Sequence, residues 1–219
     1  GDGACQCIMV RYKGGKHFDL MLEEGNVLLL SAKRKGKEFC LSLPDSTPLA
    51  HLQRPSRRAF VLQADSKHNG PSGIEPELSR FLLDELTLNN VPSEPQINTV
   101  TMTMGQSPVI ATGNIYTSLA RPGAELETAL HAKPNAVASS ITRLHSRRPL
   151  WNDQKELLTL DYPPGRAIEA SVQNFQLCDE TEEPSVVLVH GLIREEDNEE
   201  HFSLDFCSPL STLQAFAAA

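Results

Sequence analysis

The segment Pro209-Leu210-Ser211-Thr212-Leu213-Gln214-Ala215-Phe216-Ala217-Ala218-Ala219 contains no charged side chain. Its spacing predicts a helix. Leu213 and Ala217 share a face with Leu210, Phe216 sits close by, and Ser211 is placed to cap the N-terminus. A helix on a protein surface keeps one polar face, whereas one that is uncharged all round belongs in a core. This helix must therefore be enclosed by the rest of the chain.

Most of what precedes it reads as strands. Lys16–Leu22 alternates Phe18, Leu20 and Leu22 with His17, Asp19 and Met21. Glu23–Asn26 then forms a glycine-containing turn into Val27–Ala32, which makes a hairpin. Phe39–Leu43, Ala59–Ala64 and Thr99–Met104 are further strands, and Lys33–Lys37 is a solvent-facing connection between two of them. Asn69–Ile74 reads as a turn and Asn89–Asn98 as a loop. Pro76–Leu86 reads as a short helix, with Pro at its first position and apolar residues at Leu78, Phe81, Leu82 and Leu86. Ile141–Leu144 is the edge of a strand or helix within residues 105–146, which otherwise give little periodicity and read as an insertion or loop region. The last third supplies strands at Leu157–Leu160, Ile168–Val172, Phe175–Leu177, Val186–His190 and His201–Phe206. Residues 1–15 are expected to be an N-terminal extension or edge strand, and residues 1–219 a single domain.

The chain has 219 residues, 40% of them hydrophobic and 22% charged, a mix that builds a core. Its uninterrupted apolar stretches, such as Val27–Leu30 and Val186–Val189, fall far short of the ~20 residues of a membrane-spanning helix. No signal-peptide pattern precedes Cys7, and the absence of an initial Met points to a piece of a longer chain. The five cysteines are scattered, and Cys5-x-Cys7 is a poor zinc spacing, so reduced thiols and no metal are expected. No Gly-x-Ser-x-Gly, His-Glu-x-x-His or glycine-rich phosphate loop occurs and the seven histidines are dispersed, which argues against an enzyme and against a cofactor. The net charge of −8 argues against a general nucleic-acid binder. That charge is uneven: residues 1–70 carry eleven Lys/Arg against seven Asp/Glu, and the remainder nine against twenty-one.

Two basic segments stand out. Lys33, Arg34, Lys35 and Lys37 lie on one connection, and Arg54, Arg57 and Arg58 on the next loop, just before the strand at Phe60. If both loops open at one end of a barrel they form a patch suited to forking around phosphate oxygens. Otherwise they are two ordinary solvated loops. Arg143, Arg147 and Arg148 form a third cluster.

Pro149-Leu150-Trp151-Asn152-Asp153, then Gly165-Arg166, then Ala170-Ser171-Val172-Gln173-Asn174-Phe175-Gln176 resemble the C-terminal domain of tubby-like proteins. The likeness continues through Phe202–Asp205 and Leu213-Gln214-Ala215-Phe216-Ala217, and early on through Asp19–Glu24 and Leu28–Lys35. The resemblance implies a closed antiparallel barrel of about twelve strands around a hydrophobic C-terminal helix, with Trp151, Asn152, Asp153, Gly165, Arg166, Asn174, Phe175, Gln176, Leu213, Gln214 and Phe216 in structural roles. It also implies non-enzymatic binding of phosphatidylinositol 4,5-bisphosphate in a basic pocket, peripheral docking on the plasma membrane from the cytoplasm, and carriage of protein cargo into cilia. One branch of the family instead serves a cullin ubiquitin ligase through WD40 repeats and a SOCS box. DNA binding in the nucleus is the least favoured reading.

The chain departs from the family pattern. The pocket's Lys-x-Arg pair falls on Leu52 and Arg54, an asparagine falls near Glu38, a further arginine corresponds at best to Arg80, and the terminal Ser-Ser-Phe segment is absent. A weakened, less selective headgroup pocket is the expectation.

Overall fold

The computed structural model describes residues 4–12, 14–65, 77–89, 91, 94–105 and 141–219. The turn expected at Asn69–Ile74 and most of the unassigned region lie outside them. In chain order the strands are β1 (Cys5–Tyr12), β2 (His17–Leu22), β3 (Val27–Lys35), β4 (Glu38–Ser42), β5 (Pro48–Ser56), β6 (Ala59–Ala64), β7 (Glu77–Thr87), β8 (Gln96–Gly105) and β9 (Ile141–Ser146). They continue with β10 (Leu150–Asn152), β11 (Leu157–Thr159), β12 (Phe175–Asp179), β13 (Val186–Glu196) and β14 (Glu199–Phe206). The chain ends in helix α1 (Thr212–Ala218). Among the described residues twelve strands close a barrel in the order β1-β14-β13-β12-β9-β8-β7-β6-β5-β4-β3-β2, and β10 and β11 form a separate two-stranded ribbon.

Closure sets the roles of the strands. β1 pairs with β14 from Cys5↔Phe206 to Tyr12↔Glu199 and with β2 on its other side. It is neither an extension nor an edge strand, because both its ladders are filled. β7 replaces the helix expected at Pro76–Leu86. Ser79, Phe81 and Leu83 point inward at a period of two, and Phe81 sits opposite Phe60 on one side and Met102 on the other. Pairing along both edges outweighs the local helical spacing. The segment Ile168–Val172 is not a strand either. It crosses the outside of the barrel, with the Ile168 and Glu169 amides donating to the Leu192 carbonyl at 2.9 and 3.1 Å, and Ile168 and Val172 are exposed. β-branched residues mark extended backbone there, but the carbonyl serves two amides and no ladder forms.

The helix is inside, as its composition demands. Leu213, Gln214, Ala215 and Phe216 are buried, Leu210 is buried just before them, and Ala217 is half-buried. Seven residues are too few for a stable isolated helix, so its order comes from its ends and surroundings. Ser211 and Gln214 form a reciprocal capping box, with the Gln214 amide donating to Ser211 Oγ at 3.3 Å and the Ser211 amide donating to Gln214 Oε1 at 3.1 Å. The same Gln214 donates from Nε2 to the Leu78 carbonyl at 3.2 Å and to Ser79 Oγ at 3.1 Å. One polar side chain thus caps the helix and fastens it to β7.

Replacing Phe216 by Lys is expected to cost several kcal/mol, since an unpaired charge would enter the core; urea midpoints of parent and variant measure the loss. A second expectation concerns acid. His190 points into the barrel, 1% exposed, stacked on Phe202 with ring centroids 4.7 Å apart and beside Phe175 at 5.3 Å. Burial lowers its imidazole from 6.5 to about 3. The unfolded chain takes up this proton below its ordinary value while the folded chain does not. The stability contributed is complete above about pH 6.5 and is lost as pH falls toward 3, at up to about 1.4 kcal/mol per pH unit. The His190 Nδ1 has no partner, but its ring also bonds the Ser203 backbone, so His190→Phe should cost about 1 kcal/mol at pH 7 and flatten the decline between pH 7 and 5.

Candidate functional site

The β3–β4 and β5–β6 hairpins open at the same end of the barrel. β3 and β4 pair out to Lys35↔Glu38 across Gly36, whose φ of +63° makes the tight turn. The β5 strand bulges between Gln53 and Ser56 before pairing with β6 at Ser56↔Ala59, which swings Arg54 toward the first hairpin. Between them lies a cavity of about 310 Å³ lined by Lys35, Lys37, Glu38, Gln53, Arg54 and Pro55. That volume is at the small end for a ligand site.

Of the seven cations singled out from the sequence, Lys35, Lys37 and Arg54 line this cavity; Lys33, Arg34, Arg57 and Arg58 do not. Arg54 is the best-positioned. Its Nη2 donates to the Arg57 carbonyl at 2.8 Å, its Nε donates to the Ser56 carbonyl at 3.3 Å, and its guanidinium lies 5.2 Å from the Phe60 ring centroid. Arg34 donates across its own turn to the Gly36 carbonyl at 3.2 Å. Arg58 lies 3.9 Å from Asp84 and 3.8 Å from Glu85 of β7, exposed pairs that lower its net charge but add little stability. Arg80 is held in a bidentate pair by Glu77, both bonds at 2.9 Å. Arg147 donates to Gln176 Oε1 at 3.2 Å, a structural tie.

Leu52, where the family pattern has lysine, faces the barrel interior. With Phe39, Phe60 and Ala217 it lines an apolar cavity of about 230 Å³ at the end of α1. Glu38 faces outward and lines the basic cavity. Sequence reasoning missed the uncharged lining residues Gln53 and Pro55, which carry no chemical signal until the bulge in β5 is known.

The motif residues around Arg166 fasten the loop between β11 and β12 to the outer wall. Gly165, at φ +80°, turns the chain so that Arg166 enters the barrel wall. Arg166 pairs with Asp205 at 2.8 Å and Glu23 at 2.6 Å. Its carbonyl accepts from Ser203 Oγ. Gly191 permits this approach: a Cβ there would strike the Arg166 carbonyl and lie 2.7 Å from the Ala167 Cβ. Asn174 Oδ1 accepts from the Leu192 amide at 2.7 Å while its Nδ2 donates to the Glu169 carbonyl at 2.8 Å. Gln176, buried, donates to the Asp161 carbonyl at 2.7 Å. Asn152 Oδ1 accepts the Gln154 and Lys155 amides, both at 3.0 Å, to shape the turn after β10. Trp151 is half-buried on that ribbon and Asp153 is exposed.

A closed twelve-stranded barrel filled by a C-terminal helix, with a strap fastened through Arg166, defines a class of domain, and comparison with known proteins identifies it. The family model described as "Tub family" matches residues 81–219, and the chain belongs to that family. Human "Tubby-related protein 1" is 39% identical over 85 residues, which is 39% of this chain and 15% of that protein. The mouse protein of the same name is 38% identical over 85 residues. "Protein king tubby" of Drosophila sechellia is 36% identical over 80 residues, which is 36% of this chain and 17% of that protein. The matched segments are thus a small part of these curated relatives.

Burial pushes the Asp205 carboxyl up, and Arg166 pulls it back down. Arg166→Ala should therefore cost about 3–5 kcal/mol at pH 7, because it leaves a buried carboxylate without its cation. The loss should shrink as pH falls and Asp205 takes a proton. Urea denaturation at pH 7 and pH 5 measures both effects, with Gly191→Ala expected to be destabilising at either pH.

Proposed function

We propose that this domain is a non-enzymatic adaptor that docks peripherally on membranes by holding a phosphorylated inositol headgroup, phosphatidylinositol 4,5-bisphosphate in the first instance, at the cavity between the β3–β4 and β5–β6 hairpins. The observation that carries the reading is the convergence of Lys35, Lys37 and Arg54 on that one cavity. Arg54 is held by two backbone carbonyls and an aromatic ring, so little of its side-chain freedom remains to be lost on binding. The lysines opposite can move to follow phosphate oxygens. Arg34, Arg57 and Arg58 lie beside the cavity and contribute long-range attraction to an anionic surface. Membership in the tubby-like family agrees with a binding role on the cytoplasmic side of a membrane, with protein cargo as a second partner.

Binding should be weaker than a fully basic pocket allows. Glu38 brings a negative charge to the cavity, and Leu52 turns inward. These features favour a second reading, contact with an acidic and basic protein surface such as a subunit of a cullin ubiquitin ligase, since mixed charge suits a salt-bridge network. DNA binding is disfavoured by the acidic character of the rest of the chain.

Co-sedimentation with vesicles of neutral lipid, with and without phosphatidylinositol 4,5-bisphosphate, separates the readings. The parent should bind the phosphoinositide vesicles, and Lys35→Ala/Lys37→Ala/Arg54→Ala should fall to the neutral-lipid level. Arg57→Ala/Arg58→Ala should fall less. In the presence of a chelator Glu38→Gln should strengthen binding about fivefold, the equivalent of ~1 kcal/mol per charge near an anionic surface. A parent indifferent to the lipid would move the assignment to the protein-contact reading.

A further inference from the structure

We propose that Glu38, Cys40 and His51 form a binding site for a divalent transition-metal ion, zinc being the best match, on the outer face of the barrel. The β4–β5 register places Cys40 directly opposite His51, and Glu38 lies two residues before Cys40 on the same face. Three different donor types thus project from two adjacent strands. The Cys40 Sγ and His51 Nδ1 are 3.4 Å apart, and His51 Nδ1 and Glu38 Oε1 are 3.6 Å apart. All three donor atoms lie within 4.8 Å of one another. Tetrahedral zinc with ordinary bond lengths would separate sulfur from nitrogen by roughly 3.5 Å and nitrogen from oxygen by roughly 3.3 Å. The observed spacings need only small side-chain adjustments to meet those values.

The histidine is already oriented for the task. Its other nitrogen, Nε2, lies 3.1 Å from Asp65 Oδ2. Asp65 is held in turn by its amide, which donates to the Leu49 carbonyl at 2.8 Å. A carboxylate on Nε2 favours the tautomer with its proton there and leaves the Nδ1 lone pair facing Cys40 and Glu38. This is the arrangement by which a carboxylate orients a metal-binding histidine.

The chemistry narrows the ion. A thiolate, an imidazole and one carboxylate suit zinc and poorly suit magnesium or calcium, which need oxygen donors. Lys33 lies opposite Cys40 and Lys35 opposite Glu38 in the β3–β4 ladder. These cations disfavour a weakly held hard ion and leave the advantage to one that bonds the thiolate. Binding displaces the Cys40 thiol proton, so affinity should rise with pH. The Glu38 side chain is 36% exposed and that of His51 22%, so water can complete the fourth position, as in three-ligand zinc sites.

The test uses the reduced, chelator-treated protein and Co²⁺ as a spectroscopic probe, followed by Zn²⁺. The expected result is one equivalent of Co²⁺ bound with a thiolate-to-cobalt charge-transfer band and the intense visible bands of four-coordinate cobalt, both abolished by added Zn²⁺. Cys40→Ser should remove the charge-transfer band, and Asp65→Asn should weaken binding about 10–100-fold. A pair of thiols elsewhere, Cys5 and Cys7 at 3.8 Å, is the competing source of such a band. Cys5→Ser/Cys7→Ser should leave it unchanged. Absence of the band in the parent, its survival in Cys40→Ser or its loss in Cys5→Ser/Cys7→Ser would overturn the proposal. Circular dichroism checks that Cys40→Ser is folded. If it is not, X-ray absorption at the zinc edge of the loaded parent decides, with one sulfur among nitrogen and oxygen donors upholding the site and any other sulfur count rejecting it.

Discussion

A closed sheet of twelve strands encloses more space than its own inward side chains can fill, and that geometric surplus governs the structure. Eight strands leave an interior that side chains occupy; more strands leave a lumen. Here helix α1 takes up that room. The filling must be apolar over most of its surface, which explains the absence of charge from Pro209 to Ala219. It must also be held in one position, because an apolar rod in an apolar tube has no preferred register. Gln214 supplies that register through the Leu78 carbonyl and the Ser79 hydroxyl, with its own cap satisfied at the same time. The inward serine of β7 is the complement of this glutamine. Around them the core is carried by Leu20, Leu30, Leu41, Leu62, Met102, Leu144, Leu188 and Phe202, each from a different strand.

Because the interior is given over to the helix, chemistry is left to the wall and the ends. The outer wall carries the strap through Arg166, where a buried cation between Asp205 and Glu23 replaces what a hydrophobic contact would do elsewhere. The hairpin end carries the basic cavity. Glu38 belongs to two neighbourhoods at once: it lines the cavity with Lys35, Lys37 and Arg54, and it stands beside Cys40 and His51. Anything that changes the charge of this one carboxylate is felt in both.

The sequence carried the helix clearly, because a missing charge is a local property, and Ser211 could be recognised as its cap for the same reason. Hairpins such as β2–β3 were equally legible from alternation and a glycine turn. β7 was not. Glu77 and Arg80 at a spacing of three, with Leu78, Phe81, Leu82 and Leu86, imitate a helix, and only the partners Phe60 and Met102 make it a strand. β1 was hidden because one of its partners, β14, lies at the far end of the chain. The charged loops at the candidate site could be found from composition, and the resemblance placed Arg54 and Glu38. Which cations remain available could not be found, since that depends on Asp84 and Glu85 reaching Arg58 from another strand. The cross-strand meeting of Cys40 with His51 was invisible for a similar reason: neither residue signals its register.

The seam between β1 and β14 also fixes an order of events in time. Cys5 pairs with Phe206, so β1 waits for a partner made about two hundred residues later. At a synthesis speed of roughly 5–20 residues per second the interval is about 10–40 s. During it the growing sheet has an open edge of the kind that recruits other chains, and its lumen lacks the helix that fills it. Non-local pairing of this sort folds slowly even when complete. Until β14 is made and paired, the outer edge of β1 is the part of the sheet left open to other chains.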